Sequence, residues 1–199
     1  LVNPTHFVPF IAKAFSRYNK RIPVVYNTHG YDSLEALQRM DGIVDVYLPD
    51  LKYTYSLPAR RYSAAPNYFE VAKAAIDEMF RQVGPVQYDE NGLLKKGVLI
   101  RHLILPGQTD SAKDVIDYVA EHFEKGSVLF SLMAQYIPCG DAVRYPGINR
   151  RLTQEEYDEV AQYLMDSPIE NGFFQELDSA EEEYVPKFDL GGVLPPEER

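Results

Sequence analysis

Cysteine is nearly absent from this sequence, tryptophan is absent altogether, and positive charge is scarce. One Cys among 199 residues excludes an intrachain disulfide framework and any site that needs two or more thiolates from this chain. That residue, Cys139 in Pro138-Cys139-Gly140, has no histidine near it in sequence; it reads as a loop thiol and fits a reducing, cytoplasmic setting. Lys and Arg number 20 against 30 Asp and Glu, a net charge of -10 that argues against electrostatic binding to nucleic acid or an anionic membrane. No apolar run approaches the roughly 20 residues of a spanning helix. There is no glycine-rich phosphate loop, no Gly-x-Ser-x-Gly elbow and no paired-histidine zinc helix, and His6, His29, His102 and His122 stand at no ligand-like spacing.

What is present suits one ordinary domain: 45% hydrophobic and 25% charged residues, with 15 Tyr and 10 Phe. Residues 1–177 are expected to form one α/β unit, and 178–199 an acidic, Pro- and Gly-containing tail. The first residue is Leu1, and the chain enters Asn3-Pro4-Thr5-His6 directly; either processing removed a segment or, as we expect, this is a piece of a longer protein.

Helical stripes alternate with short apolar runs. Phe7, Ile11, Ala14, Phe15 and Tyr18 predict a first helix entered near Pro9. Residues 23–28 form a strand closed by His29-Gly30. Asp32, with Glu35 three residues on, predicts a capped short helix that turns Leu34, Leu37 and Met40 inward. Ile43 to Leu48 is the second strand. Asn67 with Glu70 predicts a capping box for a helix striped by Phe69, Ala72, Ile76, Met79, Phe80 and Val83. Asp89-Glu90-Asn91-Gly92 is hairpin chemistry. Residues 97–105 form the third strand, Ser111 opens the next helix, Val128 to Met133 is the fourth strand, and Thr153 with Glu156 caps a last helix. A short fifth strand is expected at 173–177. Near-continuous apolar strands separated by helices indicate parallel strands. The units are too few for a closed eight-stranded barrel, which leaves an open sheet or a partial one.

In such folds ligands gather at the C-terminal ends of the strands. The four exits carry Asn27-Thr28-His29-Gly30, Asp50-Leu51-Lys52, Pro106-Gly107 and Ala134-Gln135-Tyr136, and the third strand holds Arg101 and His102. Lys52 shares a side with Asp50 if the chain stays extended. Each residue has a plainer reading: a turn or cap for Asn27, Thr28 and Asp50, a surface amine for Lys52, a satisfied core residue for His102. Arg101 faces the opposite way from His102, and its plainer reading is a partner for a helix carboxylate.

Taken together, Asn27-Thr28-x-Gly30-Tyr31-Asp32, Tyr47-x-Pro49-Asp50-x-Lys52-Tyr53, residues 101–107 (Arg-His-Leu-Ile-Leu-Pro-Gly) and Leu132-Met133-Ala134-Gln135-Tyr136 resemble the later portion of radical S-adenosylmethionine proteins related to pyruvate formate-lyase activating enzyme. The resemblance covers nearly the whole chain. It implies the later part of a partial (β/α)6, TIM-like barrel, with the first strands and their Cys-x3-Cys-x2-Cys loop missing. It also implies that the full-length parent cleaves S-adenosylmethionine reductively through a [4Fe-4S] cluster to a 5′-deoxyadenosyl radical. By position, Lys52 would contact the methionine carboxylate. Asn27 (in place of an aspartate), Thr28 and Asp50 would hold a monovalent cation beside it. Gln135 and Tyr136 would lie near the ribose, and His102 belongs to the same cofactor-binding set. A glycyl-radical enzyme or other protein would be the partner. With one cysteine the chain alone is expected to bind no cluster, to hold no cofactor tightly and to be inactive, and a homodimer covering an exposed sheet edge is expected. Two other classes remain: a Schiff-base, aldolase-type lyase using Lys52, and a non-catalytic nucleoside- or partner-binding domain.

Overall fold

A computed structural model describes residues 1–175; the acidic run at 178–183 and the boundary expected at 177 lie outside the described residues. The chain opens with a 3-10 turn, Pro4–Phe7, that continues into α1, Val8–Phe15. There follow β1 (Val25–Thr28), α2 (Leu34–Gln38), β2 (Val46–Pro49), α3 (Ser56–Ser63), α4 (Tyr68–Val83), β3 (Gln87–Tyr88), β4 (Leu94–Leu103), α5 (Thr109–His122), β5 (Leu129–Met133), α6 (Gln154–Asp166) and β6 (Gly172–Phe174).

The sheet runs β1-β2-β4-β5-β6, parallel throughout, with β3 added to β4 as the antiparallel arm of the expected hairpin. Each parallel neighbour is the next parallel strand in sequence, joined through at least one helix. Right-handed crossovers in that order place the helices on one face, as in part of a barrel wall, and not on both faces as in a doubly wound sheet. The α/β, partial-barrel expectation therefore holds, and the short strand expected at 173–177 is found as β6 over Gly172–Phe174, with 176 and 177 outside the described residues. Before β1 the backbone of Leu1–Asn3 pairs with its outer edge: Asn3 N–H donates to Asn27 O at 2.8 Å, and Asn27 N–H to Leu1 O at 2.9 Å. The β1 edge expected to lie open is thus partly satisfied.

The core lies between the helices and the face of the sheet they cover. Tyr26, Tyr47, Ile100, His102 and Ile104 point into it from the strands. Tyr68, Ala72, Ala75, Ile76, Met79 and Val83 meet them from α4, and Ala112, Val115, Ile116 and Val119 from α5. Burial of a side chain such as Ile76 or Met79 is worth about 1.5–3 kcal/mol.

Several local expectations needed correction. Ser33, not Asp32, caps α2: its side chain accepts from Ala36 N–H. Asp32 is instead buried, and Leu34 is turned outward. Asn67 makes no capping bond to α4 but accepts from the Tyr31 hydroxyl at 2.7 Å, while Glu70 pairs with Lys73. In the first helix Val8 is the fully buried residue, and Phe7, Phe10 and Tyr18 are exposed. α3 has no counterpart in the sequence reading. The Thr153–Glu156 capping box does form. Glu156 also accepts from Arg150 and from Gly107 N–H at 2.7 Å, tying the β4 exit to α6, and the guanidinium hydrogen bonds lower its carboxyl to about 2.

Candidate functional site

β4 sorts its residues by parity. Val98, Ile100, His102 and Ile104 are buried beneath the helices; Leu99, Arg101, Leu103 and Leu105 face the other side and are only half-buried. Parallel register sets Asp50 beside Arg101, Arg101 opposite Ser131 and Leu103 opposite Met133. On that open face, at the C-terminal ends of β2, β4 and β5, Asp50, Lys52, Tyr53, Arg101, Leu103, Leu105, Met133, Gln135 and Tyr136 line a cavity of about 370 Å³.

Arg101 is the electrostatic centre. One guanidinium nitrogen, Nη2, donates to Asp50 Oδ1 at 2.6 Å and to Asn27 Oδ1 at 2.7 Å. Its Nε is buried and has no hydrogen-bond partner among the described residues. Lys52 Nζ lies 3.5 Å from Asp50 Oδ2, with 40% of its side chain exposed. Two cations thus share one carboxylate at the cavity, and together they carry surplus positive charge. That combination suits a ligand carboxylate. Gln135 presents its amide at the rim. Tyr136 contributes its ring to the wall, while its hydroxyl donates to Ile148 O at 2.9 Å; burial pushes its pKa upward.

Of the residues singled out in the sequence, Asn27, Asp50, Lys52, Gln135 and Tyr136 come together on this face. Thr28 and His102 do not. Thr28 has the opposite parity to Asn27, is fully buried, and its hydroxyl donates to Asp32. The oxygen set expected for a monovalent cation is therefore divided, and its Asn27 and Asp50 oxygens are taken by the Arg101 guanidinium. Among the described residues no group of three His, Cys, Asp or Glu side chains is placed to hold a metal. His102 is 2% exposed, and its Nδ1 lies 2.6 Å from Leu51 O. Because a carbonyl only accepts, Nδ1 carries the proton. Desolvation lowers the ring to about 4, so it is neutral and acts as a donor from within the core. Arg101 is the residue the sequence reading left aside: the partner anticipated for it was a helix carboxylate, and the one found is the strand-exit Asp50.

Behind β1 lies a second polar group. Asp32, 2% exposed, accepts from Thr5 Oγ1 at 2.5 Å, from Thr28 Oγ1 and from the Tyr26 hydroxyl at 3.3 Å. Burial raises the Tyr26 phenol to about 12. These bonds fasten the 3-10 turn and α2 to the sheet and open onto no cavity lined by the site residues.

No family model matches the chain. An uncharacterized protein of Methanocaldococcus jannaschii is 34% identical over 161 residues, which cover 79% of this chain and 42% of that relative. The match thus spans less than half the length of that curated relative. Among solved structures, a domain of pyruvate-formate lyase-activating enzyme from Bacteroides vulgatus superposes with a TM-score of 0.59 at 13% identity, covering 87% of this chain and 94% of that domain. At that identity the likeness is one of fold.

Proposed function

We propose that this chain is the S-adenosylmethionine-holding part of a radical S-adenosylmethionine enzyme related to the pyruvate formate-lyase activating enzymes. The observation that carries the reading is the cationic cavity at the strand ends, where Lys52 and Arg101 both stand around the single carboxylate of Asp50. The fold likeness to the activating-enzyme domain supports it. Lys52 and Arg101 would hold the methionine carboxylate, Asp50 would meet the ammonium on the same carbon, and the Gln135 amide would meet the ribose at the other end. Leu103, Leu105 and Met133 would exclude water beside the adenosyl group. S-adenosylmethionine, when bound, supplies a sulfonium whose reductive cleavage begins radical chemistry. A [4Fe-4S] cluster does not fit these residues: one cysteine cannot supply three thiolate ligands. The reductant must then come from outside this chain, and no step is derived through a cluster.

A Schiff-base role for Lys52 is not favoured. Such an amine works from a desolvated site, whereas Lys52 is 40% exposed with a carboxylate 3.5 Å away. The test is calorimetric titration of the chain with S-adenosylmethionine. Saturable binding is expected, weakened about 10- to 100-fold by Lys52→Met, the range for a lost hydrogen bond to a charge. No saturation at millimolar ligand, or full affinity in Lys52→Met, overturns the reading.

A further inference from the structure

Asp50, Leu51 and Lys52 leave the sheet as the segment that presents both charged groups, so what fixes its backbone fixes the site. Five of its polar backbone groups have identified partners. Asp50 N–H donates to Thr28 O and Leu51 N–H to Arg101 O, both extensions of the parallel ladder. Leu51 O accepts from His102. The remaining two, Asp50 O and Lys52 N–H, both go to one side-chain hydroxyl, that of Tyr68, at 2.7 and 3.1 Å. The same hydroxyl lies 2.9 Å from His29 O in the β1 exit loop.

We infer that Tyr68, the first residue of α4, is the positioning residue of this site: its hydroxyl locks the β1 and β2 exit loops together and sets the direction in which Lys52 is presented. The inference rests on the reading above for the ligand that Lys52 meets. The ring cannot drift. It is 3% exposed, stacked on Tyr31 at 5.9 Å and met edge-on at 5.4 Å by Tyr53, which lines the cavity. Burial drives the phenol far above its ordinary range, so it keeps its proton and always donates. With one proton for two carbonyls it serves either exit loop in turn while accepting from Lys52. Gly30 completes the lock. Its φ is +78°, and a Cβ there would fall 2.1 Å from Asp50 O and 3.1 Å from the Tyr68 hydroxyl, so the loops approach as closely as they do only because no side chain intervenes. Leu51, anchored by its own two bonds and fully buried, stays in place without Tyr68; Lys52 does not.

The test pairs Tyr68→Phe with Tyr47→Phe, which removes another buried hydroxyl, bonded to Gln82 at 2.5 Å in the core. In the unliganded chain, hydrogen exchange at the Lys52 amide should quicken about 10-fold or more in Tyr68→Phe and stay unchanged in Tyr47→Phe. In calorimetry Tyr68→Phe should weaken S-adenosylmethionine about 10-fold, yet add nothing in a Lys52→Met background, since it acts through that amine. Additive losses would mean a merely structural tyrosine and overturn the inference. If the unmodified chain binds no S-adenosylmethionine, the ligand reading fails and the exchange measurement decides alone: an unchanged Lys52 amide sinks the positioning role. Should Tyr68→Phe not fold, Gly30→Ala must produce the same local loss of protection, and its failure to do so counts against the lock.

Discussion

Two aspartates near the strand ends make an instructive pair. Asp32 follows β1 and Asp50 follows β2, and a sequence reader sees a cap in one and a site residue in the other. Asp32 is buried and satisfied by three hydroxyls, and no cation among the described residues pairs with it. Asp50 is shared between Arg101 and Lys52 at the edge of a cavity, and those two cations carry more charge than it balances. Hydroxyl donors spend themselves on the carboxylate they meet, so Asp32 can only hold the fold together. Cations that outnumber their carboxylate are left with charge to offer a ligand.

That contrast breaks most readily at Asp32. Asp32→Ala should cost about 2–4 kcal/mol of stability, because three hydroxyls lose a buried acceptor. Asp50→Ala should cost about 1 kcal/mol, since Arg101 and Lys52 keep access to water. Urea midpoints of the two variants decide it, and equal losses would abolish the distinction. The next effect in size comes from pH and concerns His102, which braces the Asp50–Lys52 segment from the core. Its folded pKa lies near 4 against 6.5 for the free side chain. Between those values the unfolded chain binds the extra proton, so stability is full above pH 6.5 and falls as pH drops toward 4, by up to about 3 kcal/mol. The Glu156 carboxyl, held near 2, adds its own loss only below about 4.5. Denaturant titrations should show the upper part of the decline vanish in His102→Asn while the lower part stays. The smallest effect sharpens the Asp50 side. Because the Arg101 guanidinium occupies the Asn27 and Asp50 oxygens, exchanging potassium for sodium or choline should change S-adenosylmethionine affinity less than about 2-fold. A 10-fold dependence would show that an inorganic cation competes there after all.

Much of the architecture was legible because burial writes it in local periodicity: apolar runs for the parallel strands, 3.6-residue stripes for α4, α5 and α6, turn chemistry for the hairpin. α3 was missed because Ser-Leu-Pro-Ala-Arg-Arg-Tyr-Ser has no apolar stripe; it is held by the burial of Pro58 and Ala59 and by the Tyr62 ring against Tyr145. The caps at Asp32 and Asn67 failed for a different reason. A capping motif states what a side chain is able to do locally, and tertiary partners claimed both residues first. Asp50, Lys52, Gln135 and Tyr136 were legible as strand-exit residues. Strand parity already set Arg101 opposite to His102, but which of them, and which of Asn27 and Thr28, meets the site depends on which face of the sheet the helices cover, and that is a property of the assembled sheet. Tyr68 gave no local signal at all: it works across separations of 16 to 39 residues.

The hairpin at the far end of β4 has a bearing on the site. Residues 94–96 of β4 pair antiparallel with β3, and from Gly97 onward the strand turns to parallel neighbours. Val86 is pressed so close that a Cβ on Gly97 would lie 2.6 Å from its side chain, and Gly97 itself has φ +138°. Only a residue without a side chain fits against Val86 at this point of the strand, so the contact favours the observed register of β4. A slip of β4 by one residue would carry Arg101 into the core without a partner and bring His102 out to the cavity. The register that keeps Arg101 on the cavity side is thus tied to a glycine at the opposite end of the same strand.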